Sequence, residues 1–230
     1  MNKVARTLRC AVLLAVIPVV QAHAQDAHTD MTMTDHMNDD PLEYMVLLDR
    51  LEFRDTSSAT PFVWDTKAWV GRDRNRLYLR SNGGTANGTT AATVEAFWAR
   101  PVSRWWNLVL GMREDFAPGD AQGWLAVGVM GLAPYRVNVQ ATAYLGDAGR
   151  TALRIETEYD MLLTNRLILQ PRLELDAYGK DDPSHDIDSG ISMDLGLRLR
   201  YEIRREIAPY MGINWDTHEL QALAGLRIWF

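Results

Sequence analysis

The sequence predicts an all-β protein, a transmembrane up-and-down antiparallel β-barrel of about twelve strands that follows a disordered N-terminal tail. Three features indicate this fold: a secretory N-terminus, strands with one apolar and one polar face, and a last strand that ends on an aromatic residue. In that last strand, 220–230, one face carries Leu220, Ala222, Ala224, Leu226, Ile228 and Phe230. Such a face requires lipid on its outer side.

Residues 1–24 are predicted to be a secretory signal peptide. Lys3, Arg6 and Arg9 precede an apolar run that is too short to span a bilayer, and residues 22–24 read Ala-His-Ala, a small-x-small cleavage pattern. The only cysteine, Cys10, would be removed with this segment. The mature chain would then have no disulfide, no thiolate metal site and no cysteine nucleophile.

The mature chain is acidic. Loss of the signal leaves 21 Lys and Arg against 30 Asp and Glu. This balance argues against a nucleic-acid partner and is compatible with cation handling. No remaining segment has about 18 consecutive apolar residues, so we expect no transmembrane helix.

The strands follow in chain order, and each alternates with a period of two. Segments 135–145, 167–177 and 191–201 show this most clearly, because Leu, Val and Ala on one face oppose charged or polar residues on the other. An Arg or Lys on the lipid face would cost roughly 2–4 kcal/mol at mid-membrane, so the Leu rows must face outward. The twelve approximate strands are 44–54, 63–71, 76–82, 92–100, 105–115, 123–131, 135–145, 152–162, 166–178, 190–203, 209–216 and 220–230.

The connections alternate between short turns and loops that are longer on average. With the N-terminus in the periplasm, short turns fall at 72–75, 101–104, 132–134, 163–165 and 204–208. The outer loops include 55–62, 83–91, 116–122 and 179–189, together with two short ones at 146–151 and 217–219. Pro171 removes a backbone donor from a strand that has no free edge, so we expect a bulge or a break beside it.

Aromatic residues near strand ends suit interfacial girdles where they face lipid. They are Trp64, Trp98, Trp105, Trp106, Trp124, Tyr135, Trp215, Trp229 and Phe230.

The inward rows carry charges of both signs, which we expect to pair inside a small barrel and either to plug it or to leave a narrow polar path. These residues are Arg50, Glu52, Asp65, Lys67, Glu95, Arg113, Arg154, Glu156, Glu158, Arg172, Glu174, Asp194, Arg198, Arg200, Glu202 and Arg227. Met130 falls on an inward row. Met112, Met161, Met193 and Met211 fall on lipid rows.

Residues 25–41 are predicted to form a flexible periplasmic tail rich in Met, His and Asp. Thioethers prefer Cu(I), whereas imidazole and carboxylate suit Cu(II). The candidate ligands are His28, Met31, Met33, His36 and Met37. From spacing alone, a disordered tail that merely happens to be rich in these residues stays an alternative.

A second candidate cation site lies in the outer loop 181–188. It would use Asp182, His185, Asp186 and Asp188, although acidic solvated loops without a site are common.

Several segments together resemble the copper resistance protein B family of outer-membrane proteins. They are 49–54, 128–135, 159–171, 196–210 and 224–230, and the resemblance extends over about 45–230. It implies an outer-membrane barrel that acts in copper resistance by binding copper, exporting it, or both. The sequence departs from the family pattern between Trp215 and Leu220, where the connection is short.

The hypothesis is therefore a monomeric outer-membrane protein that binds copper ions and sequesters them or exports them from the periplasm. Its expected partners are outer-membrane lipid and periplasmic copper-binding proteins or oxidases. A small general porin or adhesin barrel without a metal role is the alternative. An outer-membrane hydrolase is less favoured, because His185 and His218 come with no nucleophile signature and we expect no enzymatic activity.

Overall fold

The structure, a computed structural model, describes residues 40–57, 61–86, 88–116, 121–181, 189–216 and 219–230. The described chain is almost entirely β-strand, with two short 3₁₀ turns at Pro134–Arg136 and Asp147–Gly149. Among these residues, no helix is long and apolar enough to cross a bilayer. The strands are β1 (Glu43–Asp55), β2 (Phe62–Arg72), β3 (Asn75–Ala86), β4 (Thr89–Pro101), β5 (Trp106–Phe116), β6 (Gln122–Ala133), β7 (Val137–Gly146), β8 (Thr151–Glu158), β9 (Met161–Leu162), β10 (Leu167–Tyr178), β11 (Gly190–Tyr201), β12 (Ile207–Trp215) and β13 (Leu220–Trp229).

The strands form one closed antiparallel barrel. Strands that follow one another in the chain pair, except that β8 and β9 both pair with β10, and β1 pairs with β13 to close the ring. The closure extends to the last residue, because Val46 and Phe230 exchange backbone hydrogen bonds of 3.2 and 2.9 Å. The predicted barrel fold and the closing role of the last strand are confirmed.

β8 and β9 are the two parts of a single interrupted strand, so the barrel has the predicted twelve strands. Both parts pair with β10, and the gap between them lies opposite Pro171. The Tyr159 N–H donates to the Pro171 carbonyl at 3.1 Å, so the missing Pro171 N–H faces the same gap. The break expected beside Pro171 is confirmed, because a proline cannot donate to the ladder.

The two faces of the barrel follow the predicted alternation. Leu110, Leu125 and Leu220 are exposed on the outer face, whereas Glu52 and Arg198 are buried in the lumen. Phe230 is exposed at the end of the closing strand. Because the side-chain period of a strand is two, a slip of one residue would bring the charged row into lipid.

The two ends of the barrel differ. At one end, named here the short-turn end, lie Asp40, Phe230 and five short turns, which connect β2–β3, β4–β5, β6–β7, β9–β10 and β11–β12. The other end, the long-loop end, carries the remaining connections, of which 179–189 is the longest. The predicted outer loop 83–91 is shorter than expected, because β3 and β4 pair as far as Ala86 and Thr89.

Candidate functional site in the barrel lumen

One wall of the lumen, formed by β4 to β8, is lined by an apolar cluster. Phe97, Val109, Trp124 and Tyr144 are all buried there. Trp124 is one of the aromatic residues near strand ends, but it does not face lipid and so belongs to no girdle: its ring is buried and its Nε1 donates to Asp115 at 2.9 Å. Large side chains therefore fill this part of the barrel, as they do in small barrels generally.

Charged side chains occupy the remaining inward positions, on β4, β5 and β8 as well as on the other strands. The inward rows predicted from the sequence are confirmed, and their side chains form ion pairs across the lumen. Some of these pairs join residues that are far apart in the chain. Arg198 and Glu52 are one example, since 146 positions separate them.

A β-bulge in β1 adds a carboxylate that the sequence alternation did not indicate. The register of β1 shifts between Leu48 and Arg50 against β2, which leaves Asp49 as the extra residue. Asp49 and Arg50 are consequently both buried in the lumen although they are consecutive. Asp49 binds Lys67 at 3.1 Å and Arg227 at 3.0 Å. Bulges often redirect a side chain in this way.

A layer of eight buried charged residues crosses the lumen, and we name it the closing layer. It contains four arginines and four carboxylates, so its formal charge is balanced. Its members are Arg50, Arg80, Arg172, Arg198, Glu52, Asp65, Glu95 and Glu156.

Asp65 organises one part of the closing layer, and its side chain is fully buried. Its Oδ2 lies 2.9 Å from Arg50, 3.3 Å from Arg80 and 3.6 Å from Arg172. Arg80 and Arg172 also both bind Glu156. Three arginines from different strands thus share two carboxylates, an arrangement that offsets part of the cost of removing these charges from water.

Glu52 organises the other part. Its carboxylate accepts two hydrogen bonds from Arg198, at 3.0 and 2.9 Å, and one from Tyr210 Oη at 3.0 Å. Arg54 also pairs with it at 2.8 Å. Tyr210 reaches this position across Gly225, where a Cβ atom would lie only 2.6 Å from the Tyr210 hydroxyl oxygen. Because Gly225 has no side chain, the Tyr210 hydroxyl can reach Glu52 and donate a hydrogen bond to it.

Two polar cavities lie on either side of the closing layer. The cavity at the short-turn end has a volume of about 600 Å³, and the one at the long-loop end about 440 Å³. Of the closing layer, Glu156 lines the first cavity and Arg50 lines the second. The closing layer therefore separates the two cavities.

Lys67 occupies the floor of the cavity at the short-turn end. Its ammonium lies 3.1 Å from Asp49, 3.1 Å from Glu156, 3.9 Å from Glu158 and 4.0 Å from Asp65. Lys67 is thus a tethered cation at the centre of a carboxylate cluster. The sequence pattern placed it in the lumen but gave no indication of this cluster.

The cavity at the long-loop end also carries paired charges. Arg54 lies 3.5 Å from Asp194, which in turn accepts a hydrogen bond from Asn214 at 2.8 Å. Arg154 contacts Asp176 at 2.7 Å. Charged groups of both signs therefore line the lumen on each side of the closing layer.

The candidate ligands predicted from the sequence lie outside the described residues. This holds for His28, Met31, Met33, His36 and Met37 and for the loop set Asp182, His185, Asp186 and Asp188. All five histidines of the chain, at positions 23, 28, 36, 185 and 218, likewise lie outside the described residues. Within the described part, no group of three or more His, Cys, Asp or Glu has the arrangement of a metal site.

The described methionines divide as the alternation predicted, except that Met193, predicted on a lipid row, lines the cavity at the long-loop end. Met112, Met161 and Met211 are exposed on the outer face. Met130 lines the cavity at the short-turn end, and Met45 lines a smaller cavity beside β13.

The base of the loop that carries the second candidate set is closed by a hydrogen bond. The Ser189 N–H donates to Asp181 Oδ1 at 2.6 Å. The hydrogen bonds from Ser189 hold the pKa of the exposed Asp181 carboxyl below its usual range. Asp181 therefore stays ionised at neutral pH next to the candidate loop residues.

These features define the class of protein: an outer-membrane β-barrel of porin-like fold, with a lumen that is occupied by side chains and crossed by an ion-paired layer. The family follows from the sequence. Residues 42–230 match the family model described as "Copper resistance protein B precursor (CopB)". The chain therefore belongs to the copper resistance protein B family and has a role in copper resistance.

Two curated relatives are similar over most of the chain. "Copper resistance protein B" of Escherichia coli is 43% identical over 212 residues, which covers 84% of this chain and 72% of the relative. "Copper resistance protein B homolog" of Pseudomonas syringae pv. tomato (strain ATCC BAA-871 / DC3000) is 42% identical over 227 residues, which covers 89% and 77%.

Solved structures show likeness in fold alone. The NanC porin aligns with a TM-score of 0.57 at 13% identity and covers 82% of this chain and 100% of its own. The KdgM porin aligns with a TM-score of 0.51 at 10% identity and covers 82% and 99%.

Proposed function

We propose that this protein binds copper ions at the periplasmic side of the outer membrane and either sequesters them or exports them through the barrel. In this proposal the N-terminus and the short-turn end face the periplasm, and the long-loop end faces outward. Membership of the copper resistance protein B family supports the choice of metal. Short turns at the end that carries Asp40 and Phe230, the first and last described residues, support the orientation.

The observation that carries the proposal is the closing layer between two polar cavities. A general porin requires a continuous aqueous path, whereas here paired side chains fill the lumen between the cavities. Passage of an ion would require these pairs to exchange partners. Such a lumen suits controlled handling of one cation better than passive diffusion of many solutes.

The ligands proposed for copper capture are those of the predicted tail, His28, Met31, Met33, His36 and Met37. The thioethers favour Cu(I), and the imidazoles and nearby carboxylates accommodate Cu(II). Because all histidines of the chain lie outside the described barrel, any imidazole ligand must come from the N-terminal segment or the loops. Within the barrel, Met130 and the carboxylates around Lys67 line the cavity that the proposal places toward the periplasm.

We further propose that the protein acts as a monomer in outer-membrane lipid, receives copper from periplasmic copper-binding proteins or oxidases, and performs no catalytic step. The closed ring supports a monomer, because pairing of β1 with β13 leaves no free strand edge for a second copy.

Copper binding by the purified protein tests the proposal. Cu(I) and Cu(II) are titrated separately into the mature chain, a version without residues 25–40, and a full-length version with the five tail ligands replaced by Ser. The proposal predicts that binding is lost in both altered proteins. Retention of binding in both would move the site into the barrel, and absence of binding in all three would leave the porin alternative.

A further inference from the structure

Eight exposed arginines lie on the five turns of the short-turn end, and we name them the arginine ring. Every one of these turns contributes at least one arginine, and three turns contribute two. The members are Arg72, Arg74, Arg100, Arg104, Arg136, Arg166, Arg204 and Arg205.

None of the ring arginines forms an ion pair with another described residue, in contrast to the arginines of the lumen. Acidic residues do occur at this end, but several of them bind arginines outside the ring. Asp160 binds Arg200 at 3.0 Å, and Glu43 lies 3.8 Å from Arg76. Asp73 and Glu206 are exposed on the same turns, so the eight arginines leave the turns with a net positive charge.

Each turn also presents an exposed apolar or aromatic side chain close to its arginine. Trp98 precedes Arg100 by two positions, and Tyr135, which is 90% exposed, is adjacent to Arg136. The other turns follow the same pattern, with Val70, Trp105, Leu163, Tyr201 and Ile203 exposed beside their arginines. Apolar side chains next to cationic ones are typical of the membrane interface. There the apolar side chains contact the acyl chains, and the cationic groups reach the lipid headgroups.

In the turn between β6 and β7, the backbone of the adjacent residues Tyr135 and Arg136 adopts a conformation that is unfavourable for most side chains. Tyr135 and Arg136 both have positive φ angles, of 64° and 65°. Asn and Gly are the usual residues of such hairpin turns, because other side chains adopt this conformation less readily.

The opposite end of the barrel has the opposite charge. Asp55, Glu114, Asp147 and Asp181 are exposed there, and the described basic residues on the connections of that end are Arg150 and Lys180. The barrel thus presents a basic belt to one side of the membrane alone.

We propose that the arginine ring binds the phosphate groups of anionic phospholipids in the leaflet that surrounds the short-turn end. A guanidinium binds phosphate through two parallel hydrogen bonds, and arginines close to an anionic membrane surface are attracted to it. The exposed aromatic neighbours favour lipid over a soluble acidic protein as the occupant. This site is independent of copper, and it would fix the orientation and depth of the barrel.

Lipid selectivity measured by electron paramagnetic resonance tests the proposal. The mature chain is reconstituted in phosphatidylcholine bilayers with trace spin-labelled phosphatidylglycerol or phosphatidylcholine, and the fraction of label immobilised at the protein gives a relative association constant. We expect a preference for phosphatidylglycerol of roughly threefold or more. The preference for phosphatidylglycerol should become smaller in 0.5 M NaCl, because salt screens exposed charges.

Two variants distinguish lipid binding by the arginine ring from general electrostatic attraction to the protein. Replacement of all eight ring arginines by Gln should bring the association constant close to one, whereas the matched control R150Q/K180Q at the long-loop end should keep the preference. Both should fold, because these side chains are exposed, and far-ultraviolet circular dichroism verifies this. If the eightfold variant does not fold, R100Q/R136Q replaces it and should lose part of the preference. Equal binding of the two lipids by the wild type, or an undiminished preference in the ring variant, would overturn the proposal.

Discussion

The pair formed by Glu52 and Arg198 allows a quantitative test of whether the closing layer is dry. We consider the variants E52Q, R198M and the double variant. Glu52 is fully buried. The only described ion pair of Arg198 is the one with Glu52, to which Arg198 donates two hydrogen bonds of 3.0 and 2.9 Å. Removal of one partner leaves the other charge buried without its counter-ion.

Breaking such a pair costs about 3–5 kcal/mol of unfolding free energy, because the remaining charge is uncompensated. For E52Q the expected loss lies near the upper part of this range, since Arg54 and Tyr210 also bind Glu52. The double variant should lose much less than the sum of the two single losses. The resulting coupling energy should exceed about 2 kcal/mol.

The assay is equilibrium urea unfolding in phospholipid vesicles, followed by tryptophan fluorescence. The matched control is the pair of Glu43 and Arg76, which lies 3.8 Å apart at the rim and is partly exposed. Its coupling energy should stay below about 1 kcal/mol, as is usual for exposed pairs. Equal coupling in the two pairs would refute the reasoning, because it would mean that water screens the centre of the lumen as it screens the rim.

Three further predictions address other parts of the barrel. Gly225→Val should displace Tyr210 from Glu52 and lower the unfolding free energy by about 1–3 kcal/mol in the same assay, whereas Gly225→Ala should cost less. Lys67→Met should leave the carboxylate cluster around position 67 without a cation. The urea midpoint of this variant should therefore rise when Ca²⁺ is added, whereas that of the wild type should not. Identical responses of the two proteins would argue against the interpretation of Lys67 as a tethered cation. Leu110→Arg on the outer face should lower the unfolding free energy by about 2–4 kcal/mol. Gln140→Arg, in the cavity at the short-turn end, should change it by less than about 1 kcal/mol. Similar losses in the two variants would contradict the assignment of the outer and inner faces.

The faces of the strands could be predicted from the sequence because lipid imposes a strict alternation. The inward position of Glu52, the outward position of Met112 and the break beside Pro171 all follow from this rule and from the missing proline donor. The same rule could have placed Trp124 in the lumen, because it shares a row with the buried Gln122. Its location near a strand end instead suggested a girdle.

The contacts within the lumen could not be predicted in the same way. The bulge at Asp49 changes the alternation locally, and no residue near it signals the shift. The pairing of Glu52 with Arg198 depends on the closure of the whole ring, which leaves only β12 and β13 between β11 and β1. A single sequence specifies which charges enter the lumen, but the partner of each charge depends on the three-dimensional arrangement of twelve strands.

Ion conductance across planar bilayers tests the central claim, that the closing layer seals the lumen, most directly. In 1 M KCl, the wild type should show no stable open-channel steps, because Asp65 and Glu156 bind Arg80 and Arg172 across the lumen. The variant R80A/R172A should conduct, since it removes two of the four arginines of the layer. Large, stable conductance steps in the wild type would contradict the account and favour a general porin.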